Sequence, residues 1–265
     1  MLFHVLFENA ILIGVEGNHD QAFLVKVMCK LLGFSKCEEL SNLEPIWKKF
    51  IPKYPPPKTG KLYIRLDMPS ILYTETLSVA IYAGGGSELI KNLTNKLADM
   101  DYNNELSAFA IIADADKDNP AEVARKYHQG FREYFPDFPR VVAATGTIQE
   151  NRPRVGLYIL PNNVDQGVLD TLLCDCGKIA YPEYMNRAKA YIQQFSEEEI
   201  SQIGWKPFDK EKATIAAIAS ILKPGKTNTA TISDDRWISE QTATQIPSLQ
   251  NLLTFLKQLL KMESI

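Results

Sequence analysis

Two short apolar runs each end in acidic residues and lead into a helical pattern, and this repeat constrains the fold more than any other feature. Residues 11–15 are continuously apolar and stop at Glu16-Gly17. Beyond Asp20, the residues Phe23, Leu24, Val27, Met28 and Leu31 recur at helical spacing, and Gly33 is a natural stop. Residues 109–113 form a second run, which ends in Asp114-Ala115-Asp116-Lys117-Asp118. Pro120 then suits the first turn of a helix reaching about Tyr134. A short apolar run bounded by turn residues reads as a strand buried on both faces. Leu77–Ala83 is another such strand, closed by Gly84-Gly85-Gly86, with Ser87 as cap for a helix to about Met100. Residues 141–144 and 155–160 read as further strands, and 167–174 as the start of a helix. Repeated strand–helix alternation predicts an α/β fold with a mostly parallel sheet flanked by helices.

The remaining segments set the organisation. A chain of 265 residues suggests one large domain or one domain with an added lobe. Residues 1–180 read as the α/β core. They are interrupted near 34–76 by a segment whose prolines, Pro52 and Pro55 to Pro57, exclude regular helix or central strand. Residues 181–265 read as a helical extension packed on the core, with helices at 184–195, 210–222 and 249–262. A composition of 45% hydrophobic and 23% charged residues is that of an ordinary globular protein. No apolar run approaches the roughly 20 residues that span a bilayer, so no membrane association is expected. Residues 1–15 contain Glu8 and lack a basic leader; they read as a pair of buried strands, and the cytoplasm is the expected compartment. Cys29, Cys37, Cys174 and Cys176 lack paired metal-ligand spacing and read as free thiols. The net charge of −3 supplies no global attraction for nucleic acid.

The acidic residues carry the chemistry. Ligands of open α/β sheets bind beyond the carboxyl ends of the strands. Glu16 and Asp20 lie there after the first strand, Asp114 and Asp116 after the strand at 109–113, and Asp170 near the helix start at 167. Strand alternation would turn Asp114 and Asp116 to one side. Carboxylates that close repel unless a cation lies between them, and Mg²⁺ takes a few carboxylates plus waters. Plainer roles stand beside these: Glu16 in a salt bridge, Asp20 as a helix N-cap, Asp114 and Asp116 in a solvated loop, Asp118 in a turn. An EF-hand reading of residues 114–125 fails, because Asn119 and Arg125 replace the required Gly and Glu. Gly84-Gly85-Gly86 could be an ordinary turn or could receive a phosphate at a helix N-terminus.

The stretch Val15-Glu16-Gly17-Asn18-His19-Asp20 resembles the first motif of Toprim proteins, and Ile112-Ala113-Asp114-Ala115-Asp116 resembles the second. The Glu-x-x-x-Asp form is similar to that of the overcoming-lysogenization-defect nucleases. An uncharacterised bacterial Toprim-like family is more similar still. The residues that carry this likeness are Leu160-Pro161-Asn162, Gly167-Val168-Leu169-Asp170, Lys212-Ala213 and Pro224-Gly225-Lys226. Asp170 stands where those relatives carry Glu, one methylene longer. The resemblance implies a compact α/β fold with Glu16, Asp20, Asp114, Asp116 and Asp170 as ligands of Mg²⁺ or Mn²⁺. It also implies phosphodiester chemistry on nucleic acid. Glu16 would then serve as ligand or general base, and Lys212 would neutralise developing charge; a plain surface lysine is the other reading of Lys212.

Three functions follow. The first is a metal-dependent nuclease, acting in defence against foreign DNA. The second is a non-catalytic module that binds metal and a nucleotide or partner protein, with homo-oligomerisation left open. The third is hydrolysis or transfer on a small phosphorylated molecule. A basic groove beside the acidic residues would separate the first two, and Lys58, Lys61, Arg65, Lys223 and Lys226 are its candidates.

Overall fold

A computed structural model of the chain describes residues 9–51, 62, 68–234 and 236–262. The first strand, β1 (Asn9–Val15), leads into helix α1 (Asn18–Leu31). The short strand β2 (Ser35–Lys36), β3 (Ser70–Tyr73) and β4 (Leu77–Ala83) come next, followed by α2 (Leu89–Ala98) and the single turn α3 (Tyr102–Glu105). Strand β5 (Ala108–Asp114) leads into α4 (Pro120–Phe131), and β6 (Thr147–Gln149) and β7 (Arg154–Leu160) lead into α5 (Leu169–Ala180). The chain ends in α6 (Pro182–Ile192), α7 (Glu197–Gln202), α8 (Asp209–Leu222), α9 (Asn228–Asp234), α10 (Glu240–Gln245) and α11 (Pro247–Leu260).

The seven strands form one sheet in the order β2-β3-β4-β1-β5-β7-β6. The four central strands, β4, β1, β5 and β7, run parallel, whereas β2, β3 and β6 add antiparallel edges. The alternation of side chains along β1 explains its unbroken apolar run. Ile11, Ile13 and Val15 point into one core with α1, α5 and α11, while Ala10 and Leu12 point into the other with α2 and α4. Both faces are covered, so every position from Ala10 to Val15 is buried. After β1 the chain adds β4 on one side and then crosses to add β5 on the other. The gap between β1 and β5 is therefore the topological switch point, where the helices that follow neighbouring strands diverge to opposite faces.

Helices α6 and α8 to α11 belong to the same buried cluster as β1, β5 and β7. Helix α11 is tied to β7 by Tyr158 Oη donating to the Ser248 carbonyl at 3.1 Å and Arg154 Nε donating to the Leu259 carbonyl at 3.0 Å. No helix among the described residues is long and apolar enough to cross a membrane.

Several local expectations are corrected. The segment near 34–76 holds the short strands β2 and β3, while its Pro52 and Pro55 to Pro57 lie outside the described residues. It is anchored by fully buried Trp47, whose Nε1 donates to Ser78 Oγ at 2.7 Å. Residues 141–144 are no strand; Val141 is exposed, and the sheet edge is formed by β6 instead. Ser87 caps no helix, because it sits inside a 3₁₀ turn at Gly86–Glu88. Residues 1–8, the first half of the expected strand pair, lie outside the described residues.

Candidate functional site

Glu16 follows β1 and Asp114 ends β5, which puts both at the switch point. Glu16 is half-buried beneath α4, where Tyr127 donates its hydroxyl to Glu16 Oε1 at 2.9 Å. Tyr127 was not foreseen as a site residue. Its signal was a tyrosine on the buried face of α4, in phase with Val123, Ala124 and Phe131, where a hydroxyl needs a partner. The Glu16 carbonyl accepts hydrogen bonds from Gly85 N (3.0 Å) and Gly86 N (2.8 Å). The glycine N–H groups are thus spent on the strand end and not on a phosphate, and the triplet acts as a turn. Its left-handed φ angles, 80° at Gly85 and 63° at Gly86, favour glycine.

Asp20 is not the N-cap of α1; Gly17 is, and Asp20 is its third helical residue. The Gly17 N–H donates to Asp20 Oδ2 at 2.7 Å, which turns the carboxylate back toward the helix start. Asp114 Oδ1 accepts the Leu169 N–H at 2.9 Å and so satisfies an orphan donor in the first turn of α5. That turn also carries Asp170. Asp116 departs from the strand-alternation expectation. Its backbone is left-handed (φ 52°), and it exchanges hydrogen bonds with Gly167 at 2.8 and 3.0 Å, which pins the loop before α5. Its side chain is exposed. Asp118 lies in the turn, and the cap of α4 is Asn119, whose Oδ1 accepts from Ala121 N at 2.9 Å.

The electrostatics show how close these groups lie. Burial pushes the Asp20 carboxyl up to about 7, and the charges of Glu16 and Asp170 add to the rise. Asp114 is held well above the usual carboxylate range by burial and then by Asp20, Glu16 and Asp116. Burial raises Glu16, opposed by the Tyr127 hydrogen bond and Lys126. Asp170 is raised by burial and pulled back by His19 and Lys212. Asp114 thus feels the charges of Asp20, Glu16 and Asp116, and Asp20 those of Glu16 and Asp170. Lys212 acts on Asp170 from the start of α8, but it is half-exposed and its Nζ lies 3.4 Å from Asp209 Oδ1.

None of the five acidic residues makes an ion pair with a described residue. Asn18 Oδ1 is buried beside them without a hydrogen-bond partner. A shared cation would relieve the repulsion, so the donor set suits a hard divalent ion. The fit is partial, however: no three acidic, histidine or cysteine side chains among the described residues are arranged to hold one ion together. The carboxylates are turned to Tyr127, Gly17 and Leu169 instead. Mg²⁺, which is held by one or two carboxylates and waters, needs less than three. Of the basic-groove candidates, Lys58, Lys61 and Arg65 lie outside the described residues, and Lys226 is exposed in the loop before α9. Lys223 is bonded to Asp234.

Fold and site define an α/β protein with a mostly parallel sheet and buried carboxylates gathered at its switch point. The chain belongs to the family described as "Protein of unknown function (DUF3226)", which it matches over residues 10–261. Its fold is similar to the crystal structure of a hypothetical protein from Pyrococcus horikoshii OT3, at 16% sequence identity and a TM-score of 0.50, covering 95% of each chain. No curated protein matches the chain.

Proposed function

We propose that the protein carries out divalent-metal-dependent phosphodiester cleavage on nucleic acid, in the manner of the Toprim-type nucleases its motifs resemble. The observation that supports this is the gathering of Glu16, Asp20 and Asp114 at the switch point, their carboxyls pushed up by burial and by one another, with no ion pair to offset them. Asp114 and Asp20 would hold Mg²⁺ or Mn²⁺, with Asp116 and Asp170 at its margin. A bound ion supplies an activated water and neutralises the phosphate. Glu16 is the residue suited to accept a proton. Its partial burial makes it a stronger base than a free carboxylate, and the Tyr127 hydrogen bond orients it. Lys212 stands near enough to Asp170 to offset negative charge at the rim. Four free thiols agree with a cytoplasmic setting.

The test is incubation with plasmid, single-stranded DNA and RNA under Mg²⁺ and Mn²⁺, with Glu16→Gln as control. Cleavage by the wild type alone is expected, with Asp118→Asn as active as wild type. Equal cleavage by Glu16→Gln would trace the activity to a contaminant. A second reading, a non-catalytic metal- or nucleotide-binding module, is favoured by one observation: three of the carboxylates already have hydrogen-bond partners within the chain. Measurable Mg²⁺ binding without cleavage of any substrate would select it.

A further inference from the structure

Helix α1 connects the acidic centre to a pocket of the opposite charge. Its N-terminal end carries Asp20, and exposed His19 there acts electrostatically on Asp170. Most of α1 is buried, and the positions left open toward solvent include His19, Lys26 and Lys30. These are separated by seven and then four residues. At about 100° per residue they fall within an arc of roughly 40°, so they form one stripe along the helix.

The far end of the stripe opens into a pocket of about 250 Å³ lined by Val25, Lys26, Cys29, Lys30, Lys36 and Ser233. Lys26, Lys30 and Lys36 make no ion pair with a described residue. The carboxylate that senses Lys26 and Lys36, Asp234, is already bonded to Lys223. In a chain of net charge −3, three uncommitted ammonium groups around one cavity make a local positive field.

We infer that this lysine pocket between α1, β2 and α9 is a phosphate subsite for a nucleic-acid strand that passes along α1 to the acidic centre. The inference deepens the proposed function and rests on its choice of substrate. A rise of about 1.5 Å per residue puts Lys26 roughly 10 Å and Lys30 roughly 16 Å along the axis from His19. A duplex strand presents a phosphate about every 3.4 Å of its axis. The pocket therefore receives phosphates about three to five nucleotides from the one at the acidic centre. Cations at that distance hold the strand in place without repelling the metal that the carboxylates attract. The lysines contact backbone, so the subsite gives affinity without sequence preference.

The experiment is binding of labelled 20-nucleotide single-stranded and duplex DNA to the full chain, by fluorescence anisotropy across a salt series with EDTA. It is run on wild type, on Lys26→Gln/Lys30→Gln/Lys36→Gln, on Lys30→Gln alone, and on Lys91→Gln/Lys257→Gln as a control elsewhere on the surface. Each phosphate contact contributes about 0.9 to the slope of log affinity against log salt for duplex and about 0.7 for a single strand. The triple variant is expected to lose about two to three from that slope with its melting temperature unchanged. Lys30→Gln should lose about one, and the control none. Wild-type binding with an unchanged slope in the triple variant would overturn the subsite while leaving the cleavage reading intact. Lysine-dependent binding without any cleavage would sustain the subsite and remove the nuclease. Failure of the wild type to bind either strand, or lysine-dependent binding of pyrophosphate alone, would overturn the inference.

Discussion

Tyr127 and Glu16, 111 positions apart in sequence, meet through a 2.9 Å hydrogen bond that joins α4 to the end of β1. Burial and the Glu16 charge push the phenol pKa well above its ordinary value, so Tyr127 remains a donor at every working pH. Its donation opposes the rise that burial imposes on Glu16. Tyr127→Phe leaves the carboxylate half-buried without this donor, a change that costs about 1–3 kcal/mol. Glu16 should then titrate at higher pH, so the acid limb of any Mg²⁺-dependent activity moves upward. Urea unfolding and a pH–rate profile check the two effects; an unmoved profile would show that Glu16 is not the titrating base.

Asp114 holds two roles that substitution can separate. Asn keeps an oxygen that can accept the Leu169 N–H, whereas Ala loses both the cap and the charge. Asp114→Asn should therefore be as stable as wild type or more so at pH 8 without metal, because a repelling buried charge has gone. Asp114→Ala should fall about 0.5–2 kcal/mol below Asp114→Asn. Both should respond less than wild type to Mg²⁺. Thermal melts with and without Mg²⁺ decide it, and a full Mg²⁺ response in Asp114→Asn would remove Asp114 from the ligand set.

How much of this was legible in the sequence depends on what each signal needed. Strands β1, β4, β5 and β7 announced themselves because burial on both faces demands an unbroken apolar run. The acids followed, since each stands where such a run stops. The edges did not show: β3 is only four residues, Ser70–Tyr73, beside Pro69, and its role comes from pairing with β4. Val141 and Val142 have strand propensity, but the chain there is not paired, and the shorter β6 takes the edge. Propensity is local, whereas edge pairing is decided by tertiary contact. The position of Asp116 was missed for a related reason. The strand stops at Asp114, so a period of two no longer governs the turn, and Gly167 fixes the backbone of Asp116 instead. Tyr127 and the lysine pocket both depend on elements brought together from distant sequence.

Gly84 tests the glycine turn that holds the end of β1. A Cβ there would lie 2.2 Å from Leu89 Cδ1 and 2.6 Å from Leu89 Cα, and the latter is backbone that cannot rotate away. Gly84→Ala should cost about 1–3 kcal/mol as overpacking. It should also disturb the turn that donates to the Glu16 carbonyl. Denaturant melts should show a lower midpoint together with weakened Mg²⁺ stabilisation. An unchanged midpoint would mean that the turn yields easily and does not position Glu16.

The acidic centre also sets the direction of the pH dependence. Asp20 titrates at about 7 in the folded chain against an ordinary value of 3.8. Glu16, Asp114 and Asp170 shift the same way. Between those values the native state binds more protons than the unfolded state, so stability falls as pH rises. The contribution is fully present below about 3.8 and is lost as pH climbs through about 7. Without metal, the melting temperature should therefore decline from pH 5 to pH 8, opposite to the usual behaviour of salt-bridged carboxylates. A cation competes with those protons. At a concentration about 100 times its Kd it adds about 2.7 kcal/mol, which for a chain of this size is roughly 5–10 °C. That gain should be large at pH 8 and smaller at pH 5, where Asp20 already carries a proton. Scanning calorimetry at both pH values, with and without Mg²⁺ and Mn²⁺, measures it directly. A melting curve at pH 8 that ignores both ions would leave the carboxylates without a metal partner and remove the basis of the nuclease proposal.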